Sequence, residues 1–293
     1  MTSSLPNAVD APLIALNGRA GRLAYYRAGS GPPVLLIHSI NAAGSTAEMA
    51  PLFEHLRRHR TVFALDLPGF GHSDRSEREY TVTLFVTAIQ DIIDVIYEEC
   101  DTPIDAVALS LSAEFLARAA LHERHKLRSL TLITPTGFNV GANRLRAPPG
   151  TTRYMPILDK VLRFPLWRKR LFAALVSPRS IRYFLRRTYG SGVIDEKLAL
   201  YCDATTHQPG ADRAPFAFLS GVLFSKDIRT IYEALVLPVF LAHGTRGDFA
   251  DFRGADWTDE RDNWTVSAYD AGALLHFECD EFAAHLDAFF ASL

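Results

Sequence analysis

Cysteine is scarce in this chain, with only Cys100, Cys202 and Cys279 among 293 residues. An odd number of thiols so far apart excludes a disulfide framework and suits a reducing compartment, so a cytoplasmic protein is expected. No residues stand at metal-ligand spacing, and neither a metal nor a cofactor is expected. Charge of one sign is also lacking. A formal net charge of -2 gives no whole-molecule reason to bind nucleic acid or an anionic membrane, so neither is expected as a partner. The first dozen residues lack a basic start followed by an apolar stretch, and no apolar run is long enough to cross a bilayer. Internal repeats and low-complexity tracts are absent.

What remains is ordinary globular composition, 48% hydrophobic and 22% charged, at a length that one α/β core with an insertion can fill. The stretch Asp105-Ala-Val-Ala-Leu-Ser110-Leu-Ser-Ala-Glu-Phe115 organises it. A short apolar run ends on a serine and turns into a helical pattern, with small residues, Ala108 and Ser112, two before and two after. A strained strand-to-helix turn requires small flanks there, because they meet neighbouring backbone. Centring the turn on Ser112 instead would put Glu114 in a small slot, so Ser110 is preferred. The bland alternative is a serine that caps a helix.

Met1 to Asp10 reads as a poorly ordered tail. Leu13–Leu16 and Arg22–Arg27 read as a hairpin around Asn17-Gly18. Continuous apolar runs at Val34–Ile37, Val62–Leu65, Ile104–Leu109 and Leu130–Thr134 alternate with helical periodicity at Ala47–Arg57, Tyr80–Glu98 and Leu111–Leu121. This alternation predicts an α/β fold: a mainly parallel sheet with helices on both faces and its ligand at the strands' carboxyl ends. From Asn139 the rhythm breaks for roughly ninety residues of helical pattern without a strand, longer than connecting loops run. It resumes with strands at Leu237–His243 and Trp264–Tyr269 and a helix at Cys279–Phe290. The expected organisation is a core of residues 1–138 and 226–293 around an inserted helical lid at 139–225.

Together, Val34–Ile40, Asp66–Ser73, the Ser110 turn, Ile133–Phe138 and Pro238–Gly244 resemble the α/β-hydrolase fold superfamily, in the branch with a serine nucleophile and an inserted helical lid. The resemblance implies Ser110 as nucleophile, with an oxyanion hole formed by the backbone N–H groups of Leu111 and Ile40. His38-Ser39 stands where the family has histidine-glycine. His38 reads as a brace of its loop, and Asp66, Gly69, Gly71 and Ser73 as a structural loop. The acid is expected after the strand ending at His243. Gly247 occupies the usual position, so Asp248 is assigned, with Asp251 in reserve. For the base, the family's glycine-histidine pair overlays Gly272-Ala273 if Glu278 is the matching glutamate, which leaves alanine at that position. A shift of three residues brings in His276, which becomes the candidate base, while His285 reads as a surface residue.

The resemblance thus implies a cofactor-free serine hydrolase acting on a small, largely apolar molecule, at an ester, a thioester or a carbon-carbon bond next to a carbonyl. Departures at Ser39, Gly247 and Ala273 keep two alternatives open, a lyase or cyclase on the same scaffold and an inactive ligand-binding module. His38, Ser39, Trp167 and Tyr183 are candidates to line the pocket. Basic residues such as Lys160, Arg163, Arg168, Lys169, Arg170, Arg182 and Arg187 crowd the lid; they read as a solvated face, or else as a dock for an acidic carrier protein or an anionic substrate.

Overall fold

The structure, a computed structural model, describes residues 4–141 and 146–293. Positions 142–145 of the expected lid lie outside it, as do the first three residues of the expected tail. Eight strands, β1 (Leu13–Gly18), β2 (Gly21–Ala28), β3 (Pro33–Ile37), β4 (Thr61–Asp66), β5 (Ile104–Leu109), β6 (Leu127–Ile133), β7 (Val239–Gly244) and β8 (Trp264–Tyr269), form one sheet in the order β1-β2-β4-β3-β5-β6-β7-β8. The β1–β2 and β2–β4 pairs are antiparallel and all the others parallel.

The apolar runs become central strands because both faces of the sheet are covered. Leu35, Ile37, Ala106, Ala108 and Leu241 pack under α2 (Val82–Cys100) and α3 (Ser112–Glu123), whereas Val34, Leu36, Val107, Leu109 and Phe240 face α1 (Ala50–Leu56) and α11 (Asp280–Ala291). Strand alternation sends neighbouring side chains to opposite cores, so an uninterrupted apolar run is what such a strand needs. α2 starts where Thr81 accepts from the Leu84 amide.

The chain leaves β3 toward one edge and, after β5, builds toward the other. The carboxyl ends of β3 and β5 therefore flank the switch point, the crevice where open α/β sheets hold ligands. Ser110 and the His38–Asn41 loop stand there.

Between β6 and β7 run α4 (Pro156–Leu162), α5 (Arg168–Leu175), α6 (Pro178–Tyr189), α7 (Glu196–Thr206), α8 (Arg213–Leu219) and α9 (Ile228–Glu233), and β8 is followed by α10 (Leu275–Glu278). Among the described residues this segment forms no named strand. No described helix is long and apolar enough to cross a membrane. One expectation fails at the start of the chain. From residue 4 the tail is docked, with the Ala8 amide donating to the Tyr26 hydroxyl at 2.9 Å and Tyr201 donating to the Pro6 carbonyl at 3.1 Å. Val9 is buried, and these long-range bonds hold a segment whose composition alone suggested disorder.

Candidate active site

Ser110 is one of three described non-glycine residues in the left-handed region, at φ 57°. Its amide donates to the Ile133 carbonyl at 2.8 Å, and its own carbonyl accepts from Ala113 at 3.1 Å. Strand pairing on one side and the first turn of α3 on the other hold it in a conformation that costs of order 1–2 kcal/mol for a residue with a Cβ. Ser112 explains why the second small slot tolerates a serine: its hydroxyl donates to the His38 carbonyl at 2.6 Å, tying α3 to the loop after β3. The Ser110 hydroxyl makes no hydrogen bond among the described residues.

The loop after β3 is braced from below. His38 is fully buried; Leu67 N–H donates to its Nε2 at 3.0 Å, which places the proton on Nδ1, and Nδ1 donates to the Ser39 carbonyl at 2.7 Å. Burial also pushes its pKa down, so the ring stays neutral. The Glu48 carboxylate accepts from the Ser39 amide at 2.9 Å and from Asn41 Nδ2 at 2.6 Å. This leaves the Ile40 amide, like that of Leu111, without an acceptor among the described residues.

A cavity of about 330 Å³ opens at Ser110. Thr134, Thr136, Phe138, Arg153, Phe224 and Asp248 contribute to its lining, together with Asp251. Thr134, at φ 45°, is a second left-handed residue at a strand end. Thr136 donates to the Glu114 carboxylate at 2.5 Å, which also accepts from the Ser225 amide at 3.0 Å. Burial holds the Glu114 pKa above the ordinary glutamate value despite these bonds. Arg153 has no acid partner among the described residues and lies over the Phe224 ring at 5.9 Å. A larger hollow of about 540 Å³ lies between α2 and α3, but Ser110 does not line it, and its Arg118 is paired with Asp227.

The expected pocket residues are elsewhere. His38 and Ser39 are buried beneath their loop. Trp167 is 43% exposed and donates to the Val161 carbonyl at 2.8 Å; Tyr183 is 52% exposed and accepts from Arg187. None of the four lines the Ser110 cavity.

The structure does not join the expected base to the serine. His276, in α10, donates from Nε2 to the Glu48 carbonyl at 2.6 Å, and its Nδ1 is buried without a partner. Desolvation pulls its pKa down to about 4, only partly opposed by the bond to Glu48. The physical reason is the path of the turn. Glu278 accepts from the Gly272 amide at 2.8 Å, and Ala273 then donates to the Thr188 carbonyl at 2.7 Å and accepts from Thr134 Oγ1 at 3.1 Å. The backbone of Ala273 is therefore fastened to Thr134 of the cavity lining, and His276, three residues on, is turned toward Glu48, just before α1. A Cβ on Gly272 would stand 2.2 Å from the Tyr189 carbonyl, so the end of α6 sits directly on this turn.

Asp248 does share the cavity with Ser110, but its carboxylate pairs with Arg187. The pKa of Asp251, in reserve, is lowered to about 2, first by its bond to Arg253 and then by the Val140 amide. His285 is bonded to Tyr269, also away from the serine. Sequence reasoning missed Glu114, Thr134 and Thr136 as neighbours of the site. It also missed a cluster in which His55 and His59 meet the two oxygens of Asp287 at 2.6 and 3.1 Å, the group among the described residues suited to a metal ion. The signal was the His-x-x-x-His spacing; its third member comes from α11, far along the chain.

The comparisons with known proteins agree with this architecture. Among curated proteins the chain is similar to an uncharacterized protein of Mycobacterium tuberculosis, 30% identical over 147 residues, 49% of this chain and 42% of that protein. It is also similar to the 2-hydroxy-6-oxo-2,4-heptadienoate hydrolase of Pseudomonas putida, 32% identical over 112 residues, 37% of this chain and 39% of that enzyme. These matches span less than half the length of either relative. Among solved structures it resembles a serine hydrolase involved in carbazole degradation (TM-score 0.73, 17% identity, 96% and 100% of the two chains). A meta-cleavage product hydrolase from Pseudomonas fluorescens is alike to a similar degree (0.72, 20%, 95% and 97%). At such identities these likenesses speak for the fold. The sequence model of the alpha/beta hydrolase fold matches residues 32–198, more than half of the chain, and the chain belongs to that family.

Proposed function

We propose that the chain is a cofactor-free α/β-hydrolase acting at the carbonyl of a small substrate, an ester, a thioester or a carbon-carbon bond next to a carbonyl. The observation that carries this reading is Ser110, held left-handed at the switch point with a hydroxyl that is unpaired among the described residues. Beside it, the free amides of Leu111 and Ile40 are the donors for an oxyanion, and donors fixed before the reaction need no reorganisation when charge develops. The names of the relatives, a 2-hydroxy-6-oxo-2,4-heptadienoate hydrolase and a meta-cleavage product hydrolase among them, support the same class. The cavity mixes Phe138 and Phe224 with Arg153, which suits an apolar substrate with an anionic end. The three cysteines, all free, agree with a reducing compartment.

A second reading, a lyase or cyclase that stabilises an oxyanion without an acyl-enzyme, is favoured by one specific observation. Among the described residues no imidazole is hydrogen-bonded to Ser110, and α6 packs on Gly272 and Ala273. A serine needs an adjacent base to attack at neutral pH, and His276 serves only after releasing Glu48. Labelling with a fluorophosphonate, with Ser110→Ala as control, and turnover of a panel of p-nitrophenyl esters separate the two. Hydrolysis predicts serine-dependent labelling and turnover. No labelling and no burst remove the hydrolytic reading, and labelling that persists in Ser110→Ala removes Ser110.

A further inference from the structure

Twelve of the nineteen large apolar side chains that the described residues leave exposed fall between positions 154 and 193. On α4 and the turn into α5 they adjoin one another. Ile157 and Val161 are one helical turn apart, the Phe164 and Trp167 rings are 4.4 Å apart, and the Trp167 indole is bonded to the Val161 carbonyl. Ile157 and Leu166 stand 81% and 79% exposed. The same stretch, 154–193, carries nine Lys and Arg residues against one acid, Asp159. In the structure Arg163 pairs with Asp159, Arg168 with Asp212, Arg182 with Glu196 and Arg187 with Asp248, whereas Lys160, Lys169 and Arg170 make no ion pair among the described residues.

We propose that this face is a docking surface for an anionic phospholipid bilayer. Protruding aliphatic and aromatic side chains interleaved with basic ones are the composition that seats in the headgroup region. The apolar groups enter the acyl boundary, and long basic side chains reach the phosphates. The charge balance selects this occupant. A second copy placed face to face would set the unpaired Lys160, Lys169 and Arg170 against one another, and an acidic protein would satisfy the charge but not supply hydrocarbon for Ile157, Leu166 and Trp167. The expectation of no membrane partner rested on the net charge of -2, an average in which an acidic remainder cancels this segment. Docking here would present the helices between β6 and β7 to the bilayer.

The test uses the full chain and sedimentation with vesicles of phosphatidylcholine alone or with added phosphatidylglycerol. Binding is expected on the anionic vesicles, weakening as salt rises. Trp167 fluorescence should shift to the blue and be quenched by brominated acyl chains. Lys169→Glu/Arg170→Glu should lower partitioning at least about tenfold, since each basic residue near such a surface contributes about fivefold. Ile157→Glu/Leu166→Glu should abolish the fluorescence response. All four positions are on the surface, and unchanged melting temperatures confirm that the variants fold. Absence of binding to anionic vesicles, or equal binding by wild type and both double variants, overturns the proposal. So does a concentration-dependent dimer dissolved by Ile157→Glu/Leu166→Glu, or retention on an acidic protein without vesicle binding, either of which gives the face to a protein partner.

Discussion

The Thr134 hydroxyl donates to the carbonyl of Ala273 at 3.1 Å, and through this bond the turn after β8 is fastened to the rim of the Ser110 cavity. Thr134 lines that cavity, so the backbone of residue 273, not that of 276, is fastened to its lining. Ala273→His should therefore supply the missing base. General-base assistance contributes about 10²–10⁴-fold, and the fluorophosphonate labelling rate of Ser110 is expected to rise at least about a hundredfold, with a dependence on an imidazole pKa. An unchanged labelling rate would show that residue 273 does not reach the serine.

The strain at Ser110 makes a second prediction. Glycine adopts φ 57° freely, whereas alanine keeps the Cβ penalty. Ser110→Gly should be more stable than Ser110→Ala by about 1 kcal/mol, read as a difference in denaturant midpoint at equal slope. Equal midpoints would mean that the turn relaxes without the serine.

The sheet was legible because Val34–Ile37, Val62–Leu65 and Ile104–Leu109 are buried on both faces, a condition that writes itself into consecutive apolar residues. The turn at Ser110 was legible because a strained turn demands small flanks, and the hydroxyl of Ser112 fills a glycine slot without crowding. The helices α7 and α8 were not, because their buried sides include Thr205, Thr206 and Ala214 and show little contrast with the exposed sides. The role of His276 was not legible for a different reason. Its partner Glu48 lies 228 positions away, and a three-residue offset in a turn decides which side chain meets the cavity.

Glu114 gives a pH-dependent prediction. Its folded pKa is raised by burial above 4.5, so the stability linked to its proton is present below the unfolded value and is lost as pH rises through the folded one. Glu114→Gln keeps an acceptor for the Ser225 amide and carries no charge. The variant should match wild type below pH about 4.5 and gain on it as the pH rises from there through the folded value. Parallel stability curves for the two proteins would contradict the burial of an ionising carboxyl at this position.

His276→Ala reports on stability more than on chemistry. The substitution removes a buried hydrogen bond, leaves the Glu48 carbonyl without its donor, and loosens the residue whose carboxylate braces Ser39 and Asn41. A cost of about 1–3 kcal/mol follows, while Ser110 labelling by a fluorophosphonate should change less than about tenfold, because the imidazole does not touch the serine. The sign of the pH effect follows from the lowered pKa. Folding requires the neutral ring, with a pKa of about 4, whereas the unfolded chain takes up a proton near 6.5. The stabilisation is therefore complete above pH about 6.5 and is lost as the pH falls toward about 4, by about 3 kcal/mol in all. The difference between wild type and variant should accordingly be largest at neutral pH and shrink on acidification. A variant with wild-type stability at every pH and a labelling rate reduced by orders of magnitude would instead make His276 the base at Ser110, in a conformation that has released Glu48.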